Sequence, residues 1–288
     1  MVIDGREGDV SAFRDAGKIG ELCREYRTDG LMILLSGGSV DFRMEFFNPD
    51  GSGGMMCGNG GRCIVAFADY LGLKPASSDG VWLFEAPDGL HEAKILSGPD
   101  RQAPRAQVPE NLASGKQVPG GAAAALLWTV RLKMIDVHGI TPLLGGFFLN
   151  TGTRHFVKFV RDVDAIDVEA DGHALRWNPA FAPEGTNVNF VERCEGFLKV
   201  RTFEKGVEGE TLACGTGITA SAIAAQFAGI GQPEQASSGK SWTLQCRRGD
   251  LLKVDFNAAG EDFTEVHLTG PAELCVRTGP DNGPLRTK

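Results

Sequence analysis

Nowhere in these 288 residues do Lys and Arg gather into a run that could track a phosphate backbone, and 37 acidic against 29 basic residues leave a net charge of −8. That balance excludes nucleic acid and anionic lipid as default partners and points to a small molecule. Long apolar runs are missing too. The longest, GGAAAALLWTV from Gly120 to Val130, is too short to cross a bilayer. The opening MVIDGREGDV lacks the charged and apolar regions of a signal peptide, so a cytoplasmic protein that does not enter the membrane is expected. No Cys-x-x-Cys pair occurs among the seven cysteines, and no closely spaced histidine pair is present. Cys57 and Cys63 are separated by five residues, a spacing that splays two side chains on a helix, so no metal site and no cofactor is expected. In a reducing compartment the cysteines remain thiols.

What is present is a large share of short apolar runs. LMILL (31–35), DFRMEFFN (41–48), VWLFEA (81–86), FFLN (147–150), FVKFV (156–160) and LKVRTF (198–203) read as strands. Three segments read as helices: Ile19–Tyr26, Cys57–Leu71 and Cys214–Ala228. The stretch Gly98–Gly121, rich in Pro, Gly and Gln, reads as a connection between two halves. The halves resemble one another. RMEFFNPDGSGGMMCGNGGRCIVAFA (43–68) and KVRTFEKGVEGETLACGTGITASAIAA (199–225) each run strand, polar turn, Cys-Gly-x-Gly, helix, and the two cysteines stand 157 residues apart. A duplicated domain is expected. Residues 1–116 form the first lobe, with 271–288 returning to it, and 117–270 form the second.

A thiol at a helix N-terminus meets unpaired N–H groups and the positive end of the dipole, which favours thiolate and makes it a candidate base. The same amides, in Gly58-Asn59-Gly60 and Gly215-Thr216-Gly217, suit a carboxylate. If Cys57 and Cys214 face one carbon, one removes an α-proton while the other delivers one to the opposite face, and configuration inverts without a cofactor. Asn48, Asn187 and Glu204 are candidates to hold the polar ends of an amino acid. A lone cysteine among glycines is more often a small buried hydrophobe; here the duplication argues for chemistry. His155 reads as a satisfied structural histidine, and Cys23, Cys63, Cys194, Cys246 and Cys275 as packing residues.

The stretches FFNPDGSGGMMCGNGGRC, NTGTRHFV, EGTNVNFV and EKGVEGETLACGTG resemble the diaminopimelate epimerase family across nearly the whole chain. The resemblance implies an α/β fold of two pseudo-symmetric lobes, each a curled, barrel-like sheet around a central helix, with a cleft between them. It implies cofactor-independent interconversion of LL- and meso-diaminopimelate, a step toward lysine and peptidoglycan. By motif match Cys57 and Cys214 are the acid/base thiols. Asn48, Gly58, Asn59, Thr153, Asn187, Glu204, Lys205, Gly215 and Thr216 bind the substrate, and a homodimer is allowed for. The chain departs from the family pattern at several points. The strand and Gly-x-Gly-Asn-Asp turn that normally precede VID are absent, and EYRT replaces a Gly-x-Gly before Asp29-Gly30. Gly53 replaces an acidic residue, Thr153 an Asn, and Lys205 an Arg. Lys lacks the two-pronged grip of Arg on a carboxylate. A related racemase with another substrate, or a homologue that binds an amino acid without turning it over, therefore stays open.

Overall fold

Alternating burial is the physical basis of the sheets. Along β4 (Val81–Ala86) the side chains of Trp82, Phe84 and Ala86 are buried while their neighbours are not, the period of a strand with one face on a core. A computed structural model describes residues 1–54, 57–99, 126–236, 239–275 and 286–287. These fall into two units: residues 1–56, 60–132 and 271–288, and residues 57–59 with 133–270. The lobe boundary expected at 116/117 and the connection beyond Pro99 lie outside the described residues.

In the first unit β1 (Val2–Asp4) leads through α1 (Ala16–Tyr26) to β2 (Leu31–Ser36), which pairs parallel with β1. β3 (Phe42–Phe47) is antiparallel to β2. Next comes α2 (Gly58–Tyr70), then β4, parallel to β3. Antiparallel β5 (Gly89–Ser97) and β6 (Leu126–Lys133) follow. Asp15 caps α1 by accepting the Lys18 N–H at 2.8 Å. Ile19, Leu22 and Cys23 of that helix pack with Leu31 and Ile33.

The second unit begins with the short strands β7 (Val137–His138), β8 (Thr141–Leu143) and β9 (Gly146–Asn150). It then repeats the same pattern. β10 (Arg154–Val160) leads through α3 (Val168–Arg176) to the parallel β11 (Asn187–Arg193). β12 (Leu198–Glu204) is antiparallel to β11 and carries the hairpin partner β13 (Gly209–Thr211). α4 (Gly215–Ala228) follows. After β14 (Glu234–Ala236) comes β15 (Gly239–Gln245), parallel to β12, then antiparallel β16 (Leu251–Ala259) and β17 (Asp262–Cys275). From Pro271 on, the end of β17 and β18 (Arg286–Thr287), which pairs with it, belong to the first unit, and β17 also pairs with β6. The sheet curls around α4, which touches β9, β10, β11, β12, β15 and β16, but it does not close. A helix apolar on all sides is an enclosed helix, and Gly217–Ala225 are buried without a break. Gly229, at φ 64°, ends it in the left-handed conformation.

All six strand runs and three helices expected from the sequence form. α3 was not among the expected helices; it holds Gly172 in its interior. The glycine is there for packing: a Cβ on it would lie 2.5 Å from Cβ of Phe203.

Candidate active site

Two glycines bring the cysteine turns together. A Cβ on Gly215 would lie 3.0 Å from Cα of Gly58, and one on Gly58 would lie 3.2 Å from Cα of Gly215. A side chain at either place would press on the backbone of the opposite glycine and on Leu268 Cδ2, 2.9 and 3.0 Å away, so both helices open on glycine. Asn59 fastens the contact, its Nδ2 donating to the Ala213 carbonyl at 3.0 Å. Residues 57–59 accordingly group with the second unit. Cys57 is exposed just before α2, whereas Cys214, the extended N-cap of α4, is buried at 8% exposure.

A helix N-terminus favours thiolate, but at Cys214 two other influences are larger. Burial pushes its thiol well above the ordinary range, and the Glu204 carboxylate adds to the rise. The Thr216 hydroxyl, 3.4 Å from Sγ, and the Gly217 N–H act in the opposite sense but do not outweigh these. Cys214 is therefore a thiol. Glu204, at the end of β12, accepts a hydrogen bond from Thr211 across the hairpin.

Behind Cys214 lies a buried polar set. Nε2 of His155 is 2.9 Å from both Thr216 Oγ1 and Thr153 Oγ1, and the two hydroxyls are 3.2 Å apart. Nδ1 of His155 is 3.0 Å from Asn189 Nδ2, and Thr202 donates to Asn189 Oδ1 at 3.0 Å. His155 is fully buried, and burial pushes its pKa down to about 3. It is neutral and, as expected, a satisfied buried histidine with partners at both ring nitrogens, one of which, Thr216, also lies 3.4 Å from the Cys214 sulfur. The available signal was polar residues at alternate positions of an apolar strand: Asn187 and Asn189 lie on one face of β11, and Asn189 stands opposite Thr202.

Gly58, Asn59 and Gly215 thus meet where the two helices start, Thr216 and Glu204 lie beside the Cys214 thiol, and Thr153 bonds to Thr216. Asn187 spends its amide on backbone, donating to Arg154 O and accepting from the Lys205 N–H, both at 2.8 Å. The Lys205 side chain is exposed. Asn48 belongs to the first unit, where its Nδ2 donates to Ser52 Oγ at 3.0 Å in a tight turn. Among the described residues, no group of three or more His, Cys, Asp or Glu side chains could hold a metal ion. No helix among them is long and apolar enough to cross a membrane.

A repeated α/β unit with a cysteine heading its central helix defines an epimerase- and PhzF-like fold. A PhzF-family phenazine biosynthesis protein from Bacillus anthracis superposes with a TM-score of 0.62 at 12% identity, covering 95% of this chain and 92% of the other. A hydroxyproline epimerase from Agrobacterium vitis does so with a TM-score of 0.55 at 16% identity, covering 92% and 84%. Sequence similarity is more specific. The family model for diaminopimelate epimerase matches residues 147–274. The chain is 34% identical to the diaminopimelate epimerase of Flavobacterium psychrophilum over 87% of its own length and 82% of the relative's. With that of Chlorobaculum tepidum it shares 34% identity over 96% and 95%. The chain belongs to the diaminopimelate epimerase family.

Proposed function

We propose that this protein is a cytoplasmic diaminopimelate epimerase that interconverts the LL and meso isomers by two-base proton transfer between Cys57, Cys214 and the substrate's α-carbon. The observation that carries the reading is the backbone contact of Gly58 with Gly215, which sets the two cysteine-headed turns side by side. In one direction the Cys57 thiolate takes the α-proton, the electron pair shifts onto the carboxylate, and the Cys214 thiol protonates the opposite face. The protonated state of Cys214 suits that role, since burial and Glu204 hold its proton until a carbanion is there to take it. The N–H groups opening α2 and α4 receive the carboxylate, and fixed dipoles in a site sheltered from water stabilise the developing charge by several kcal/mol. A reducing compartment keeps both thiols usable.

Incubation with LL-diaminopimelate in D₂O tests the reading. Loss of the α-proton signal together with appearance of the meso isomer is expected. Binding without exchange would leave an amino-acid-binding homologue. Lys205 favours a second reading, a racemase for another amino acid, because its exposed ammonium is a point charge where a guanidinium is expected; exchange on another substrate alone would select it.

A further inference from the structure

We infer that Asn189 is a positioning residue that locks the tautomer of His155 and thereby aims the Thr216 hydroxyl at the Cys214 sulfur. The inference rests on the epimerase reading for its kinetic consequence, though not for its geometry. The orientation of the Asn189 amide is over-determined. Its Nδ2 lies 3.3 Å from the carbonyl oxygen of Phe156, an atom that only accepts, and its Oδ1 takes the hydroxyl proton of Thr202 at 3.0 Å. The amide nitrogen must therefore face His155, and the contact at 3.0 Å makes Nδ1 an acceptor. A neutral imidazole carries one proton, which then sits on Nε2.

Each further bond follows. Nε2–H faces Thr216 Oγ1 and Thr153 Oγ1, each 2.9 Å away, and the Thr153 hydroxyl donates to Thr216 Oγ1 at 3.2 Å. Neither of these two neighbours then accepts the Thr216 proton. Its only proton goes to the remaining neighbour, Cys214 Sγ at 3.4 Å. A donor held on the sulfur stabilises the thiolate that forms once Cys214 has given its proton away. It offsets part of what burial and Glu204 impose. With the other tautomer Nε2 would be an acceptor open to the hydroxyl of Thr216 as well as that of Thr153, and the Thr216 proton would no longer be held on the sulfur alone. The network has no slack. Asn189 is buried at 0% exposure, and a Cβ on Gly217, in the first turn of α4, would lie 2.3 Å from Asn189 Oδ1.

The test is nitrogen NMR of the imidazole in the intact protein, paired with kinetics. Wild-type His155 should show the neutral Nε2–H pattern at pH 7; an Nδ1–H pattern or an imidazolium overturns the inference. Asn189→Leu, similar in volume but unable to bond, should lose that single pattern and lower kcat about tenfold, as removal of a supporting partner commonly does, with KM changed less than about twofold. If the variant keeps both the Nε2–H pattern and wild-type kcat, Asn189 is not the lock. If it does not fold, the wild-type spectrum still decides. Failure of the epimerase reading shows itself separately, as an absence of α-proton exchange in the wild type with the tautomer as stated.

Discussion

The two units use one topology to build two different surroundings for a thiol. β1, α1, β2, β3, α2, β4, β5 in the first correspond in order and pairing sense to β10, α3, β11, β12, α4, β15, β16 in the second. The difference lies around the central helix. α4 is enclosed and almost entirely small or apolar, while α2 carries Arg62 and Asp69, the latter bonded to Trp128 Nε1 at 3.0 Å. The hairpin before α4 has three residue pairs and ends in Glu204. Its counterpart before α2 is a single bridge, Phe47 to Gly53, beside Asn48. One thiol is buried beside a carboxylate and the other is exposed. A repeat fixes where a functional group stands; the local dielectric and the nearest charge fix its protonation.

The largest effect tests whether both cysteines are needed. Cys57→Ala and Cys214→Ala should each lower turnover by about 10²–10⁴-fold or more, the usual weight of a positioned acid or base, while Cys63→Ala stays active. Full activity in either of the first two ends the two-base account. Next comes the contact that unites the turns. Gly215→Ala must push Gly58 or Leu268 aside, and a loss of about 1–3 kcal/mol in stability is expected from such overpacking, read by denaturant unfolding together with a fall in kcat.

Glu204→Gln sharpens the contrast in protonation. The carboxylate raises the Cys214 pKa, so its neutral replacement should lower it, and alkylation of Cys214, followed by peptide mapping, should set in at lower pH. An unchanged alkylation profile would leave burial alone as the cause. The smallest effect is Lys205→Arg, expected to lower KM for diaminopimelate about two- to fivefold through bidentate contact. No change in KM, with another amino acid turned over faster, would favour the racemase reading.

Strand and helix positions were legible because their periodicity is local, and the cysteine turns because the motif occurs twice. Three things were not legible. α3 hides behind Gly172, whose reason is the Phe203 side chain, thirty-one positions further along. The proton on Cys214 depends on burial and on Glu204, which spacing does not report. The set of His155, Asn189 and Thr202 comes together only through strand register, in which Asn189 lies opposite Thr202. Asn187, chosen from its setting in GTNVNF, bonds backbone at both ends of its amide, so a substrate would meet only what those bonds leave.

The meeting of Gly58 and Gly215 also restricts how such a duplicated chain can drift. Most crowded positions admit a compensating change, in which a residue that grows is accommodated by a neighbour that shrinks. Here the Leu268 side chain, 2.9 Å from a Cβ on Gly58, could still withdraw, but the other neighbour of each glycine is the backbone of the opposite glycine, already the smallest residue. Neither glycine can be trimmed to make room for the other. The two copies are thus free to diverge in their strands, hairpins and helix surfaces, but at this pair of positions they are bound to the same letter for as long as the turns are to touch.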